Sequence, residues 1–110
     1  MLIRSQDKEM IVNIYTTNHI FIGEAYRPNG NLHDVCADEM RLGYYSTREK
    51  AMKVLDMIQE AYADEKLVDY TTYLQQKEIE KMDDSTILAI RNELMKKAVF
   101  QMPEDGSVEV

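Results

Sequence analysis

Between Gly43 and Pro103 the chain contains neither glycine nor proline. Gly23, Pro28, Gly30 and Gly43 lie before that stretch, and only Pro103 and Gly106 punctuate its far side. Glycine and proline supply the backbone conformations that tight turns demand, so this distribution predicts a turn-rich β half followed by a helical half.

The first half reads as an antiparallel β-meander of four to five short strands over residues 1–45. Leu2–Ser5 is a short strand, Gln6-Asp7-Lys8-Glu9 a polar turn, and Met10–Thr16 a β-branched run of strand length. His19–Arg27 alternates Ile20 and Ile22 against His19 and Phe21. Pro28-Asn29-Gly30-Asn31 is the strongest turn signal, since proline presets φ and Asn-Gly supplies positive φ. Leu32–Cys36 returns, Ala37-Asp38-Glu39 breaks the run, and Met40–Tyr45 sets Met40, Leu42 and Tyr44 against Arg41, Gly43 and Tyr45.

The period changes at Ser46-Thr47-Arg48-Glu49. Ser46 with Glu49 three residues later forms a capping-box pattern, and Ala51, Val54, Leu55, Ile58, Ala61 and Tyr62 follow at helical spacing. That predicts a helix from Thr47 to about Ala63 whose apolar stripe faces the sheet. A phase break at Asp64-Glu65-Lys66 separates it from a second helix over 67–82, although Tyr70-Thr71-Thr72-Tyr73 is a poor helix former. A third helix over 85–97 starts at a cap on Asp84 or Ser85. Residues 98–102 form a last strand stopped by Pro103, and 104–110 a flexible acidic tail. The fold class is therefore α+β, one domain over 1–103: a meander packed on a capped helix, two further helices (helical part 46–97) and a short C-terminal strand.

At 110 residues with 45% apolar and 30% charged side chains, the chain suits one globular core. It has no apolar run long enough to span a membrane. The amino terminus turns polar too early for a signal peptide, and Cys36 is the single cysteine. A reducing, cytoplasmic location and no internal disulfide follow as expectations.

No catalytic pattern stands out. His19, His33, Asp34 and Cys36 lack the paired spacing of a zinc site, and His33 and Cys36, three apart in a strand, point to opposite faces. Cys36 has no oriented histidine partner fixed by the sequence, and neither a phosphate-cradling glycine loop nor a G-x-S-x-G elbow occurs. The expectation is a protein that is not an enzyme and holds no cofactor and no metal.

Charge is distributed more informatively than its sum of −7. Residues 1–55 carry seven acids and seven bases, so the whole excess falls in residues 56–110. Asp56, Glu60 and Asp64 lie at i, i+4 and i+8 on one helix line, extended by Glu65 and Asp69. Glu78, Glu80, Asp83 and Asp84 form a second cluster. Such surfaces either keep a protein soluble or occupy an Arg/Lys groove that normally holds nucleic-acid phosphate. The seven tyrosines, with no tryptophan, supply amphipathic contact area, and Tyr45, Tyr70 and Tyr73 join the acids as candidate partner-binding residues. Met52, Met57, Met82, Met95 and Met102 are either core fillers or an adaptable groove. Residues 67–95 carry more apolar positions than one stripe needs, which points to a homodimer.

The segments Ile3-Arg4-Ser5-Gln6-Asp7-Lys8, Leu42-Gly43-Tyr44-Tyr45-Ser46-Thr47-Arg48-Glu49-Lys50-Ala51 and Phe100-Gln101-Met102-Pro103-Glu104 resemble small uncharacterised proteins of phages, prophages and mobile elements of Gram-positive bacteria. The resemblance covers about half the chain and leaves 64–97 as an added helical region. It transfers no activity, but its context implies an anti-defence factor. The expected partner is a host or effector protein with a basic groove, such as a Cas9-type nuclease, without direct nucleic-acid or membrane contact. A small-molecule or nucleotide-signal sequestering protein, or an oligomeric assembly protein of the element, are the alternatives.

Overall fold

The computed structural model describes residues 1–25, 32–74 and 81–110, and the side chains of 1–23, 33–67, 81–92 and 98–110. The described architecture is α+β, as expected, with two open three-stranded sheets and two helices. The expected 28–31 turn lies outside the described residues.

The single meander is replaced by two sheets. In the first, β1 (Leu2–Arg4) lies between antiparallel β2 (Ile11–Asn13) and parallel β6 (Val99–Gln101). In the second, β3 (Ile20–Ala25), β4 (Leu32–Ala37) and β5 (Met40–Tyr45) form an antiparallel meander. The run Met10–Thr16 is not one strand. Asn13 caps a 3₁₀ turn over Ile14–Thr16 through a 3.0 Å bond from the Tyr15 N–H, and this turn ends β2 before β3 can pair with it.

Along β5 the expected alternation also fails. Val35 pairs with Gly43 but Cys36 pairs with Arg41, so Leu42 is an extra residue in a bulge. Leu42, Gly43 and Tyr45 are all buried, while Arg41 and Tyr44 stay outside, where the guanidinium lies 5.4 Å from the ring centroid.

Helix α1 (Arg48–Leu74) runs through the expected break at 64–66, so residues 67–74 of the expected second helix continue α1, and 75–80 lie outside the described residues. Its residues are compatible with a helix, and tertiary contacts hold the disputed turn. Glu65 accepts from the Met1 ammonium at 3.0 Å and the Tyr15 hydroxyl at 3.1 Å, and the Lys66 ammonium lies 4.6 Å from the Tyr15 ring centroid. Thr47, not Ser46, is the N-cap, its hydroxyl accepting from the Lys50 N–H at 3.2 Å. Helix α2 (Asp84–Lys97) is capped by Asp83, one residue before the expected caps, with the Thr86 N–H donating at 2.7 Å.

The core lies between α1 and the sheets. Ala51, Val54 and Ile58 pack with Ile3, Val35, Leu42 and Tyr45, and Leu55, Ala61 and Tyr62 flank them, so the predicted stripe faces inward. Gln6 joins the two sheets. Its backbone N–H donates to Leu42 O at 2.7 Å, its side-chain oxygen accepts from Tyr44 N–H at 3.1 Å, and its Nε2 donates to Tyr44 O and Pro103 O. The side-chain amide thus stands in for a neighbouring peptide group at the β5 edge. Gly43 permits the approach, since a Cβ there would sit 3.2 Å from Gln6 Cβ.

Residues 104–110, expected as a mobile tail, fold back instead. Asp105 Oδ1 accepts from Ser46 N–H at 2.8 Å, Lys50 Nζ donates to Asp105 O at 2.9 Å, and Val108 is buried in the core. No helix among the described residues is long and apolar enough to cross a membrane.

Candidate functional site

Helix geometry puts Asp56, Glu60 and Asp64 on the face of α1 opposite the buried stripe. All three are exposed, and among the described residues none takes part in an ion pair or hydrogen bond. Their spacing sets three carboxylates on one line about 12 Å long, with Arg48 and Lys53 beside Asp56 alone.

The structure removes several expected members from that surface. Glu65 turns inward to the amino terminus, its side chain only 16% exposed. Tyr45 is fully buried, its hydroxyl donating to Pro103 O at 2.8 Å; burial and the nearby Asp105 and Glu104 carboxylates push its pKa well above the ordinary tyrosine range. Asp83 is spent on the α2 cap, and hydrogen bonds from Thr86 and Ser85 hold its carboxyl below the usual aspartate range. Asp84 is exposed in the first turn of α2. Asp69, Tyr70 and Tyr73 lie on α1 beyond its described side chains, and Glu78 and Glu80 lie outside the described residues. Met102 belongs to the core and Met52 is exposed, so these two do not share a groove.

A second surface has no counterpart in the sequence reading. An open cleft of about 730 Å³ runs between β2 and the end of the second sheet where β3 begins and β4 turns into β5. Ile11, Val12 and Asn13 form one side, and His19, Phe21 and the Asp38–Met40 turn the other. Asp38, at φ 53°, organises that turn: its N–H donates to His19 O, and its carboxylate accepts from the Asn18 and His19 N–H groups, each at 3.2 Å. Ile11, Phe21 and Met40 leave apolar surface open to solvent. The sequence signal was limited to the 37–39 break, because the wall formed by residues 37–40 lies more than twenty residues from β2 and is brought to it only by folding.

Burial, with the Asp34 carboxylate, pushes the Cys36 thiol up. Thr16 and Thr17 in the cleft donate their hydroxyls to Asn13 O. His19 Nε2 lies 3.9 Å from Asp38 Oδ1, an exposed pair whose carboxylate is already bonded to backbone. Among the described residues no group of three His, Cys, Asp or Glu is arranged to hold a metal ion.

No family model matches this chain, and no curated protein or solved structure matches it.

Proposed function

We propose that this chain is a non-enzymatic, cytoplasmic protein-binding factor of a phage or mobile element. In this reading it is an anti-defence inhibitor of the anti-CRISPR type, docking the outer face of α1 on a basic, nucleic-acid-binding groove. The observation that carries the reading is the exposed line Asp56, Glu60 and Asp64, in no ion pair among the described residues, on a helix whose opposite face supplies the core. Like charges at that spacing cost a few tenths of a kcal/mol per pair, and a basic partner converts this cost into binding. The committed hydroxyls of Thr16 and Thr17 and the raised Cys36 thiol support binding rather than covalent chemistry.

The test is the triple variant Asp56→Asn, Glu60→Gln, Asp64→Asn, titrated against a purified Cas9-type nuclease with and without its guide RNA. Because these side chains are exposed and make no ion pair or hydrogen bond among the described residues, the variant should unfold at the same denaturant concentration or slightly above. Affinity should fall about tenfold or more, and the salt dependence of binding should flatten. A folded variant that binds with unchanged affinity and unchanged salt slope removes α1 from the interface. No binding by wild type rejects this partner.

A further inference from the structure

Among the described residues β2 has no strand on its outer side. Ser5 N–H donates to Met10 O at 2.8 Å and Ile14 N–H to Met1 O at 3.1 Å. With the register Ile3↔Val12, antiparallel alternation then spends the backbone groups of Val12 on β1. The same alternation turns Ile11 N–H and C=O and Asn13 N–H away from β1. The β1 groups that point the opposite way are satisfied by the β6 side, as Leu2 N–H donates to Ala98 O and Arg4 O accepts from Met102 N–H. On β2 no such neighbour exists among the described residues: it is an outer strand in the order β2-β1-β6. Successive side chains of a strand point to opposite faces, so a cleft that touches Met10, Ile11, Val12 and Asn13 in succession touches the backbone edge itself.

Natural edges are usually blunted by charge, proline or a covering loop. This one is short, three residues, but among the described residues it carries no charged side chain and no proline, and Ile11 is 55% exposed. Across the cleft stand Phe21 and Met40, also exposed, and the carboxylates of Asp38 and Glu39. Asp38 is bonded to backbone N–H groups, whereas Glu39 is exposed and takes part in no ion pair or hydrogen bond among the described residues. No lysine or arginine lines the cleft. Open ladder groups, an apolar wall and an anionic rim together define one kind of ligand.

We propose that this cleft binds an extended, basic peptide segment that adds as a strand to β2, its backbone pairing with Ile11 and Asn13, its apolar side chains on Ile11, Phe21 and Met40, and a lysine or arginine beside Glu39. Main-chain pairing supplies affinity and the alternate side chains supply selectivity. The surface shares no residue with Asp56, Glu60 and Asp64, so it stands whether or not α1 docks on a basic groove.

The probe is the capped hexapeptide Ac-Lys-Val-Lys-Val-Lys-Val-NH₂, titrated into the ¹⁵N-labelled full chain. Saturable shifts at about 1 mM or below, centred on the amides of Ile11 and Asn13 and on 38–40, are expected. N-methylation of alternate peptide amides removes the donors that pair with Ile11 O without touching the protein, and should weaken binding about tenfold or more. The Glu-Val analogue should bind about tenfold more weakly, and Glu39→Lys, a substitution in an exposed turn, should reduce that preference. The α1 triple variant should bind the peptide as wild type does. Shifts confined to α1 that vanish in the triple variant, equal binding of the N-methylated peptide, equal binding of the Glu-Val analogue, or no saturation would each overturn the proposal. A small molecule retained in the cleft through purification and competing with nothing but itself would overturn it as well.

Discussion

Every buried side chain described in the molecule falls within residues 1–58 or at Met102 and Val108, and none falls within 59–67 or 81–92. Yet both regions carry helical periodicity. The first turns of α1 lie on the β3-β4-β5 sheet, and Ala51, Val54 and Ile58 are buried there in a core shared with Ile3 of β1. The far part of α1 meets Met1 and Tyr15 through Glu65 and Lys66, and α2 meets α1 and β6, yet no described side chain in either is fully buried, and Leu67 and Leu88 remain 64% and 56% exposed. Periodicity marks a helix; it does not reveal how much the helix will bury. The molecule is correspondingly elongated, 60 × 27 × 25 Å, with one densely packed end.

Truncating one apolar side chain in each region tests this contrast most strongly. Ile58→Ala, in the buried stripe, should cost about 2–5 kcal/mol in urea unfolding, whereas Leu88→Ala on α2 should cost under about 1 kcal/mol. Comparable losses would mean that α2 belongs to the core.

The polar joint at the packed end comes next. Gln6→Ala removes three side-chain hydrogen bonds, with Tyr44 N–H, Tyr44 O and Pro103 O, of which Pro103 O keeps the Tyr45 hydroxyl, and should cost about 2–3 kcal/mol. Tyr45→Phe deletes only the bond to Pro103 O and should cost about 1 kcal/mol. Neither residue announces this role in the sequence. Gln6 sits in a polar turn and Tyr45 was expected at a partner surface, because their bonding partners lie 38 to 97 residues away.

The helix start distinguishes local from distant partners. Thr47→Ala should cost about 1 kcal/mol as a lost N-cap, and Ser46→Ala a few tenths, since the Ser46 N–H that binds Asp105 survives the change. A larger effect at Ser46 would restore the capping box read from Ser46 and Glu49.

Acid titration compares the two ends with the smallest effect. The carboxyl of Asp105 is held low first by the Ser46 N–H, with help from the Ser46 hydroxyl and Lys50; that of Asp83 is held low by Thr86 and Ser85. A depressed folded value means that each group's contribution is complete above the ordinary aspartate range near about 4 and is lost as pH falls through the lower folded value. Below about pH 4 the wild type should therefore lose tail protection in hydrogen exchange at the packed end and α2 protection at the other. Asp105→Asn should flatten only the first response, and Asp83→Asn only the second.

Elements whose causes are local can be read directly from the residues. The β3, β4 and β5 strands, the turn at 38–39, the inward stripe Ala51, Val54 and Ile58, and the stop at Pro103 follow from backbone sterics and side-chain period within a few residues. The acidic line on α1 was legible for the same reason, since residues four apart on a helix must share a face. Tertiary structure decided the rest. The parallel β1–β6 pair, the inward Leu42, the continuous turn at Glu65, the packed tail and the β2 cleft each depend on a partner brought close only by folding. Local periods are written in bond geometry, but a backbone group or carboxylate is satisfied by whatever donor the completed fold places within about 3 Å, and that choice has no signature in neighbouring residues.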